Sequence, residues 1–403
     1  MSVAIAARNF SRVAWNQVAK QWRHWRQRVL RRFKGARETG KEVKASVRGS
    51  IEQTRDAGTD AYAGSIRTMR YWRRVHAQTI PRLTRELSVR RELRGVAAGT
   101  HPIIVGPWLS EVGYEVLYWV PFLRWFTDRY GVDPARLVVV SRGGVAEWYA
   151  DVATRYVELF DLFTPDEFAR RNAERQTSGE QKQHVRAAFD QEILARVQAQ
   201  PGLADASVCH PSTMFRLLRQ FWLGNESLAY VQEHTRHRLL PTRSSVPLPP
   251  LPERFVAVKL YAGKAIPDTP EHRQALRLLV EQAASRLPIV ALDTGFALDD
   301  HTDYLFRDIP GVIDLRASLT PQNNLGLQTA VLQRASQFIT TCGGLAWLAP
   351  FMGVDTLAVY ASDELLNPHL YAARQAYRAV GAAPFVPLDL AALAGVGVAS
   401  HNP

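Results

Sequence analysis

Cysteine is scarce in this sequence, and long uncharged apolar runs are missing. The two cysteines, Cys209 and Cys342, lie 133 positions apart and form neither a disulfide framework nor a zinc ligand set, so a reducing compartment is expected. No apolar run of about 18 residues occurs, which predicts no transmembrane helix. The first residues also lack the uninterrupted apolar segment of a secretory signal, so a cytoplasmic location is expected.

Acidic residues are scarce in the first hundred positions. Residues 1–100 contain 23 Lys and Arg against 7 Asp and Glu, whereas the rest of the chain contains 27 against 31. The formal net charge of +12 therefore belongs to the N-terminal segment. Because the body of the chain is slightly acidic, we expect no nucleic acid to bind through a basic cleft.

A basic helix is predicted in residues 1–34, with Trp15, Trp22 and Trp25 on one face. Tryptophan favours the headgroup region of a bilayer, and each nearby cation adds about 1 kcal/mol of attraction to anionic lipid. One interpretation is an in-plane anchor that makes the protein peripheral on the inner face of the cell membrane. The other is a helix that packs on its own body or on a second subunit of a homo-oligomer.

After residue 100 the chain alternates between strand-like and helix-like segments, which is typical of α/β proteins with parallel sheets. The predicted strands are His101–Val105, Leu137–Ser141, Phe255–Leu260, Ile289–Leu292, Val312–Asp314, Gln337–Thr340 and Thr356–Tyr360. The predicted helices are 66–95 with a break at Pro81, Glu115–Tyr130, 164–200, 212–239, 271–286, 322–335 and 345–352.

This alternation predicts two doubly wound, Rossmann-like domains behind a basic helical segment of residues 1–100. Five prolines within residues 241–253 exclude regular structure there and predict a semi-rigid linker. The two domains would then be residues 101–240 and 254–403. Ligands are expected between them, because loops converge at the carboxyl ends of parallel strands.

The segment Thr340, Thr341, Cys342, Gly343 and Gly344 connects a predicted strand to a predicted helix. Glycines let a ligand approach the backbone closely, threonine hydroxyls add donors, and the first turn of a helix attracts anions. The pattern favours a phosphate or diphosphate site. A tight turn that needs glycine only for steric reasons is the alternative.

This turn and the segments after it resemble the ADP-heptose:lipopolysaccharide heptosyltransferase group of GT-B glycosyltransferases. The corresponding segments here are Trp347–Gly353 and Asp355–Tyr360, followed by Pro368. The residues Thr341–Gly343 stand where that group has an acidic residue, a serine and a glycine. The resemblance implies a GT-B fold and a nucleotide-diphosphate sugar as substrate, with neither a cofactor nor a metal.

The segment "VGYEVLYWVP" resembles a second motif of the same group, in which a proline follows an acidic residue by six positions. Glu115 and Pro121 match that spacing. The resemblance implies that Glu115 is the general base for the acceptor hydroxyl. Glu111 lies four residues earlier in the same loop and is a rival. The alternative for both acids is a structural role in capping helix termini.

Three further groups of candidate residues follow strands of the second predicted domain. Lys259 and Tyr261 end its first strand and Lys264 follows, and the resemblance implies that a basic residue there faces the donor phosphates. The segment Asp314, Leu315 and Arg316 ends another strand and is a candidate for holding the base or ribose. The residues 299–301 read Asp-Asp-His, but adjacent residues rarely converge on one ion, so no metal site is predicted.

The resemblance implies an enzyme that transfers a sugar from a nucleotide-sugar donor to a cell-envelope or lipid-linked glycan acceptor, with inversion and without a metal. Two alternatives stay open. One is a non-catalytic, membrane-associated binding or assembly protein that keeps the fold. The other is an enzyme similar to sugar-nucleotide epimerases.

Overall fold

The computed structural model describes residues 84–179, 182–241, 246–296 and 301–391. The chain divides into two units at Arg82/Leu83, and the described residues belong to the second. The predicted basic helix of residues 1–34 lies outside the described residues, and so does the choice between its two interpretations. In the described part of the chain, no helix has the length and apolar character needed to cross a bilayer.

The first half of this unit contains a four-stranded parallel sheet. Its strands are β1 (Ile103–Val105), β2 (Leu137–Ser141), β3 (Arg155–Glu158) and β4 (Ser207–Cys209), in the order β3-β2-β1-β4. Its helices are α1 (residues 84–97), α2, α3 (Pro165–Thr177), α4 (Ala188–Gln198), α5 (Pro211–Trp222) and α6 (Leu228–Glu233). Helix α2 comprises a short α-helical start (Val112–Tyr114), a π-helical turn (Glu115–Trp119) and an α-helix (Val120–Tyr130). Single 3-10 turns are Pro134–Arg136, Ala146–Tyr149 and Leu159–Asp161.

The second half contains a six-stranded parallel sheet and a short antiparallel pair. The strands are β5 (Val256–Lys259), β6 (Tyr261–Ala262), β7 (Ile289–Ala291), β8 (Thr302–Asp303), β9 (Val312–Asp314), β10 (Gln337–Thr341), β11 (Thr356–Tyr360) and β12 (Phe385–Asp389). The sheet order is β12-β11-β10-β5-β7-β9, and β6 pairs with β8. The helices are α7 (Pro270–Ala284), α8 (Asn324–Leu332) and α9 (Asn367–Val380), with 3-10 turns at Arg316–Ser318, Gly344–Trp347 and Ala349–Met352.

The central strands owe their form to runs of β-branched residues. Strand β2 reads LVVVS, and all five residues are buried, as expected for a parallel sheet covered on both faces. Glycines end the helices beside them: α2 is followed by Gly131 at φ 62° and α9 by Gly381 at φ 65°, a left-handed conformation that glycine adopts without steric cost. Two parallel, Rossmann-like sheets confirm the predicted α/β fold class.

The largest hydrophobic cluster contains residues of both halves, and the halves meet at three glycines. Gly326 of α8 donates its backbone N–H to the carbonyl of Gly143 at 2.8 Å. A Cβ atom on Gly326 would lie 2.4 Å from the carbonyl oxygen of Gly144, so only glycine permits this approach. Nearby, the indole N–H of Trp148 donates to the hydroxyl of Thr329 at 3.1 Å. The glycine contact and this hydrogen bond hold the two sheets in one compact unit.

Several predicted elements need correction. The predicted helix 345–352 is wrong: two 3-10 turns take its place, and Pro350, which lacks an N–H, interrupts the helical ladder. The segments 164–200 and 212–239 each divide into two helices. Strands β3, β4 and β12 were not predicted; all three are sheet edges, and β12 contains Pro387, which edge strands tolerate.

Helix α1 belongs to the described unit, although residues 84–97 were predicted within the N-terminal segment. Its Val89 and Leu93 are fully buried, and its Glu92 accepts a hydrogen bond from Thr213 of α5 at 2.8 Å. The residue boundaries predicted for the domains and for the linker stay a prediction.

Candidate active site

A cleft of about 730 Å³ lies at the carboxyl ends of both sheets. This size is within the range of pockets that enclose small-molecule substrates. Its wall in the first half includes Glu111, Val112, Gly113, Tyr114, Lys182, His184, Arg219 and Trp222. Its wall in the second half includes Lys259, Tyr261, Lys264, Thr294, His301, Asp303, Cys342, Gly343, Gly344, Trp347 and His369.

The acidic loop after β1 presents Glu111 to the cleft. Glu111 precedes α2 in extended conformation, and its half-buried side chain makes no capping hydrogen bond. The four consecutive carbonyls of residues 107–110 accept hydrogen bonds of 2.8–3.3 Å from Arg142, Arg175 and Gln183. These contacts fix the backbone next to Glu111, and they leave its carboxylate available to a ligand.

Glu115 points away from the cleft, which corrects the preferred assignment of the general base. The π-helical turn directs its fully buried side chain inward, where Oε1 accepts hydrogen bonds from Ser141 at 2.7 Å and Tyr149 at 2.5 Å. Burial raises the pKa of Glu115 from its ordinary 4.5 to about 7, although Arg142 and the two hydroxyl donors act to lower it. Of the two rival acids, only Glu111 lines the cleft.

The glycine turn of the second half lines the cleft with backbone rather than with hydroxyl groups. Gly343 has φ 152° and Gly344 φ 44°, and both are half-buried at the cleft surface. The hydroxyls of Thr340 and Thr341 instead donate to the carbonyls of Lys259 and Tyr261, at 2.8 and 3.0 Å. Because both threonines are buried in strand pairing, the donor role predicted for them is replaced by a structural one.

Cys342 lines the cleft only through a nearly buried side chain, and burial raises the pKa of its thiol to about 12. It therefore offers a neutral thiol and no nucleophile at neutral pH. Because the segment after it forms short 3-10 turns, the expected helix dipole does not contribute here. The open backbone of the two glycines remains as the feature of this turn that a ligand can approach.

Two lysines and a tyrosine at and after the end of β5 line the cleft together with the glycine turn. Lys259 donates to the carbonyl of Leu292 at 3.1 Å and lies 3.6 Å from Asp303, which partly neutralises its charge. Lys264 is exposed at the cleft. The hydroxyl of Tyr261 would lie 2.8 Å from a Cβ on Gly343, so this tyrosine packs directly on the turn.

The acidic loop and the glycine turn are in direct contact across the cleft. A Cβ on Gly113 would lie 3.0 Å from the side chain of Trp347 and 3.4 Å from the backbone nitrogen of Gly344. Gly113 follows Glu111 by two residues. The segment that carries Glu111 therefore contacts the glycine turn, and both line the same cleft.

The strand end predicted to hold a base or ribose does not line the cleft. Asp314 is paired with Arg307 at 2.9 Å, and Arg316 is paired with Asp293 at 2.5 Å. Leu315 is buried in the core. Of the Asp-Asp-His sequence, Asp299 and Asp300 lie outside the described residues, and the ring of His301 packs on Tyr261 at 4.5 Å.

Sequence reasoning missed the basic and aromatic groups of the first wall. Lys182 and His184 lie between α3 and α4, whereas Arg219 and Trp222 belong to α5. No motif or spacing connects these segments with the loop of Glu111. Only the tertiary structure brings them to the same cleft.

One cluster of potential metal ligands occurs in the described part of the chain, away from the cleft. Glu86, Glu233 and His234 present ligand atoms within 4.8 Å of one another. However, the guanidinium of Arg90 lies 2.6 Å from Glu86 and 3.0 Å from Glu233. This cation already pairs with both acids, so the cluster is an ion-pair network.

No family model and no curated protein matches the sequence. Among solved structures, the chain is similar to a glycosyl transferase family 9 protein from Veillonella parvula, at 11% identity and a TM-score of 0.39 over 75% of this chain and 90% of that one. It is also similar to ADP-heptose LPS heptosyltransferase II from E. coli, at 11% identity and a TM-score of 0.33 over 67% and 88%.

A third similar structure is the glycosyltransferase TibC from enterotoxigenic E. coli, described as iron-containing and dodecameric. The identity is 11%, the TM-score is 0.35, and the match covers 64% of this chain but only 58% of that one. These proteins are glycosyltransferases, the group that the sequence motifs resemble. At such TM-scores the likeness carries no argument, so the fold rests on the two sheets and the function on the cleft.

Proposed function

We propose that this protein is a glycosyltransferase that moves a sugar from a nucleoside-diphosphate sugar to a hydroxyl group of a cell-envelope or lipid-linked glycan. The observation that carries this proposal is the contact between the loop of Glu111 and the turn at Gly343 and Gly344. It supports a reaction in which one wall activates the acceptor and the other holds the donor.

The donor diphosphate is assigned to the second wall. There, the glycine backbone allows phosphate oxygens to approach closely, and Lys264 provides a charge that faces the cleft. Lys259 adds a second ammonium group that Asp303 and the Leu292 carbonyl hold in place. Positive charge at this place stabilises the diphosphate as it leaves, so the assignment needs no metal ion.

The acceptor is assigned to the first wall, with Glu111 as the general base. The carboxylate takes the proton of the acceptor hydroxyl, and the oxygen attacks the anomeric carbon of the donor sugar. The bond from this carbon to the diphosphate breaks, and the electron pair leaves with the nucleoside diphosphate. A single displacement inverts the anomeric configuration.

The experiment measures thermal stability with a panel of nucleoside diphosphates and nucleotide sugars. A ligand that binds only the folded state raises the melting temperature by mass action, and we expect this for one nucleotide series. Gly343→Ala should abolish the increase, because it puts a methyl group between the ligand and Tyr261.

The matched control is Gly353→Ala. Gly353 also has a positive φ of 81°, but nothing lies within 4 Å of its Cβ position, and it is not part of the cleft. This variant should have backbone strain of the same kind and should keep the increase in melting temperature that the nucleotide causes. An equal loss of response in both variants, or no response in the wild type, would contradict the donor assignment.

A further inference from the structure

The first wall of the cleft carries positive charge that the donor assignment does not use. Lys182 and Arg219 line it, and no described carboxylate forms an ion pair with either of them. The ammonium of Lys182 bonds the hydroxyl of Tyr114 at 2.9 Å and lies 4.7 Å from the centre of its ring. On the second wall, by contrast, Asp303 compensates Lys259.

The side chains of Lys182 and Arg219 line the same wall of the cleft as His184. Burial lowers the pKa of His184, and the charges of Arg219 and Lys182 each lower it further. The ring of His184 also contacts Phe215 at 5.2 Å, and Arg219 lies one helical turn beyond Phe215 on α5. The two cations and the imidazole form one group, which we call the 182/184/219 cluster.

Aromatic rings form the floor beside this cluster. Tyr114 and Trp222 meet edge to face at 5.0 Å, and Trp222 is half-buried at the cleft surface. Trp222 offers apolar area to the C–H groups of a sugar ring, whereas Tyr114 is buried beneath Lys182 and supports this floor. A ligand with both a ring and a negative charge would match the floor and the cluster together.

The cluster also lies beside the loop of the proposed base. Tyr114, whose hydroxyl bonds Lys182, follows Glu111 by three residues, and its backbone N–H donates to the carbonyl of Glu111 at 3.2 Å. Glu111, Lys182 and Arg219 line the same cleft. A charge bound at the cluster would therefore belong to the part of the acceptor that reaches Glu111.

We infer that the 182/184/219 cluster is an anion subsite for the acceptor, and that the acceptor sugar carries a phosphate, sulfate or carboxylate group. This inference rests on the proposed function, because it assigns the neighbouring wall to the donor. It adds the charge of the acceptor, a property that neither the fold nor the glycine turn determines.

The test uses calorimetry on the full chain, with glucose 6-phosphate and glucuronate as anionic probes and glucose as the neutral probe. The titrations are done with and without the nucleoside diphosphate that stabilises the protein best. We expect saturable binding of at least one anionic probe in both conditions and no glucose binding. Lys182→Met and Arg219→Met should each weaken this binding by about tenfold or more, as expected for the loss of a charge-assisted hydrogen bond.

Two controls separate this subsite from the donor site. Arg186→Met removes an exposed charge from the same segment as Lys182, outside the cleft lining. It should change neither the affinity for the anionic probe nor the affinity for the nucleotide. Gly343→Ala should lose nucleotide binding and keep the anionic probe. If no nucleotide binds while the probe depends on Lys182, the donor assignment fails and the anion subsite stands.

Two results would overturn the inference. One is anionic probes that bind no better than glucose. The other is a loss of nucleotide affinity in Lys182→Met and Arg219→Met that equals their loss of probe affinity, because the cations would then belong to the donor diphosphate.

Discussion

Glu111 and Glu115 lie four residues apart and have opposite environments. The loop after β1 leaves Glu111 half-buried at the cleft, whereas the π-helical turn places Glu115 in the interior with Ser141 and Tyr149. A carboxylate at the cleft surface can contact a substrate and accept its proton. A buried carboxyl with a raised pKa is instead a structural group whose ionisation is costly.

This burial predicts a pH-dependent stability that Glu115 causes. Its folded-state pKa of about 7 lies above the ordinary 4.5, so the folded state retains the proton longer than the unfolded state. The contribution of Glu115 to the stability of the folded state is fully present below about pH 4.5 and is lost as the pH rises through 7. At 1.36 kcal/mol per pKa unit, the loss is about 3 kcal/mol.

Glu115→Gln tests this at the same position. The amide imitates the protonated carboxyl, so the free energy of unfolding of the variant, relative to wild type, should increase by about 3 kcal/mol between pH 4.5 and pH 8.5. Denaturant titrations at several pH values measure this difference. A difference that is constant with pH would contradict the raised pKa.

At the scale of elements, the glycine contact between α8 and the loop after β2 predicts a large effect of a small substitution. In Gly326→Ala, the new methyl group would lie 2.4 Å from the backbone oxygen of Gly144, which has no rotamer to move away. We expect a loss of about 3 kcal/mol in unfolding free energy, at the upper end of overpacking effects.

Gly95→Ala is the matched control for this substitution. Gly95 is also helical, in α1, but nothing lies within 4 Å of its Cβ position. There, alanine should stabilise by up to about 1 kcal/mol, because it is the better helix former. Chemical denaturation of both variants measures the change in the free energy of unfolding, which should have opposite signs in the two. Similar changes would contradict the packing described.

The central strands could be predicted from the sequence because their signal is local. Strands β2 and β11 agree residue for residue with runs of apolar and β-branched residues, and so does the edge strand β9. The edge strands β3 and β12 could not be predicted, because one carries charges and the other a proline, and their pairing depends on a neighbouring strand.

For the site, the sequence indicated which loops matter but not where the side chains point. Glu111 and the glycine turn could be located because they follow predicted strands. The inward orientation of Glu115 depends on a π-helical turn, and no local sequence pattern indicates such a turn. Lys182 and Arg219 reach the cleft from separate segments, so only the tertiary structure relates them to Glu111.

At the scale of the whole molecule, the proposed function requires both halves. The proposed base belongs to the first sheet and the proposed donor site to the second, and the contact of Gly113 with Trp347 and Gly344 joins them. Neither half alone holds the two sets of groups. The central claim is therefore that chemistry takes place where these two loops meet, with Glu111 as the base.

The most direct measurement is the release of nucleoside diphosphate from the nucleotide sugar that stabilises the protein best, with water in place of the acceptor. We predict that Glu111→Gln lowers this rate by about a hundredfold or more, a typical share for a general base, without a change in nucleotide affinity. Glu115→Gln, with the same chemical change four residues away, should keep a rate within a few-fold of wild type. A large loss in Glu115→Gln alone, or unchanged rates in both variants, would contradict the account.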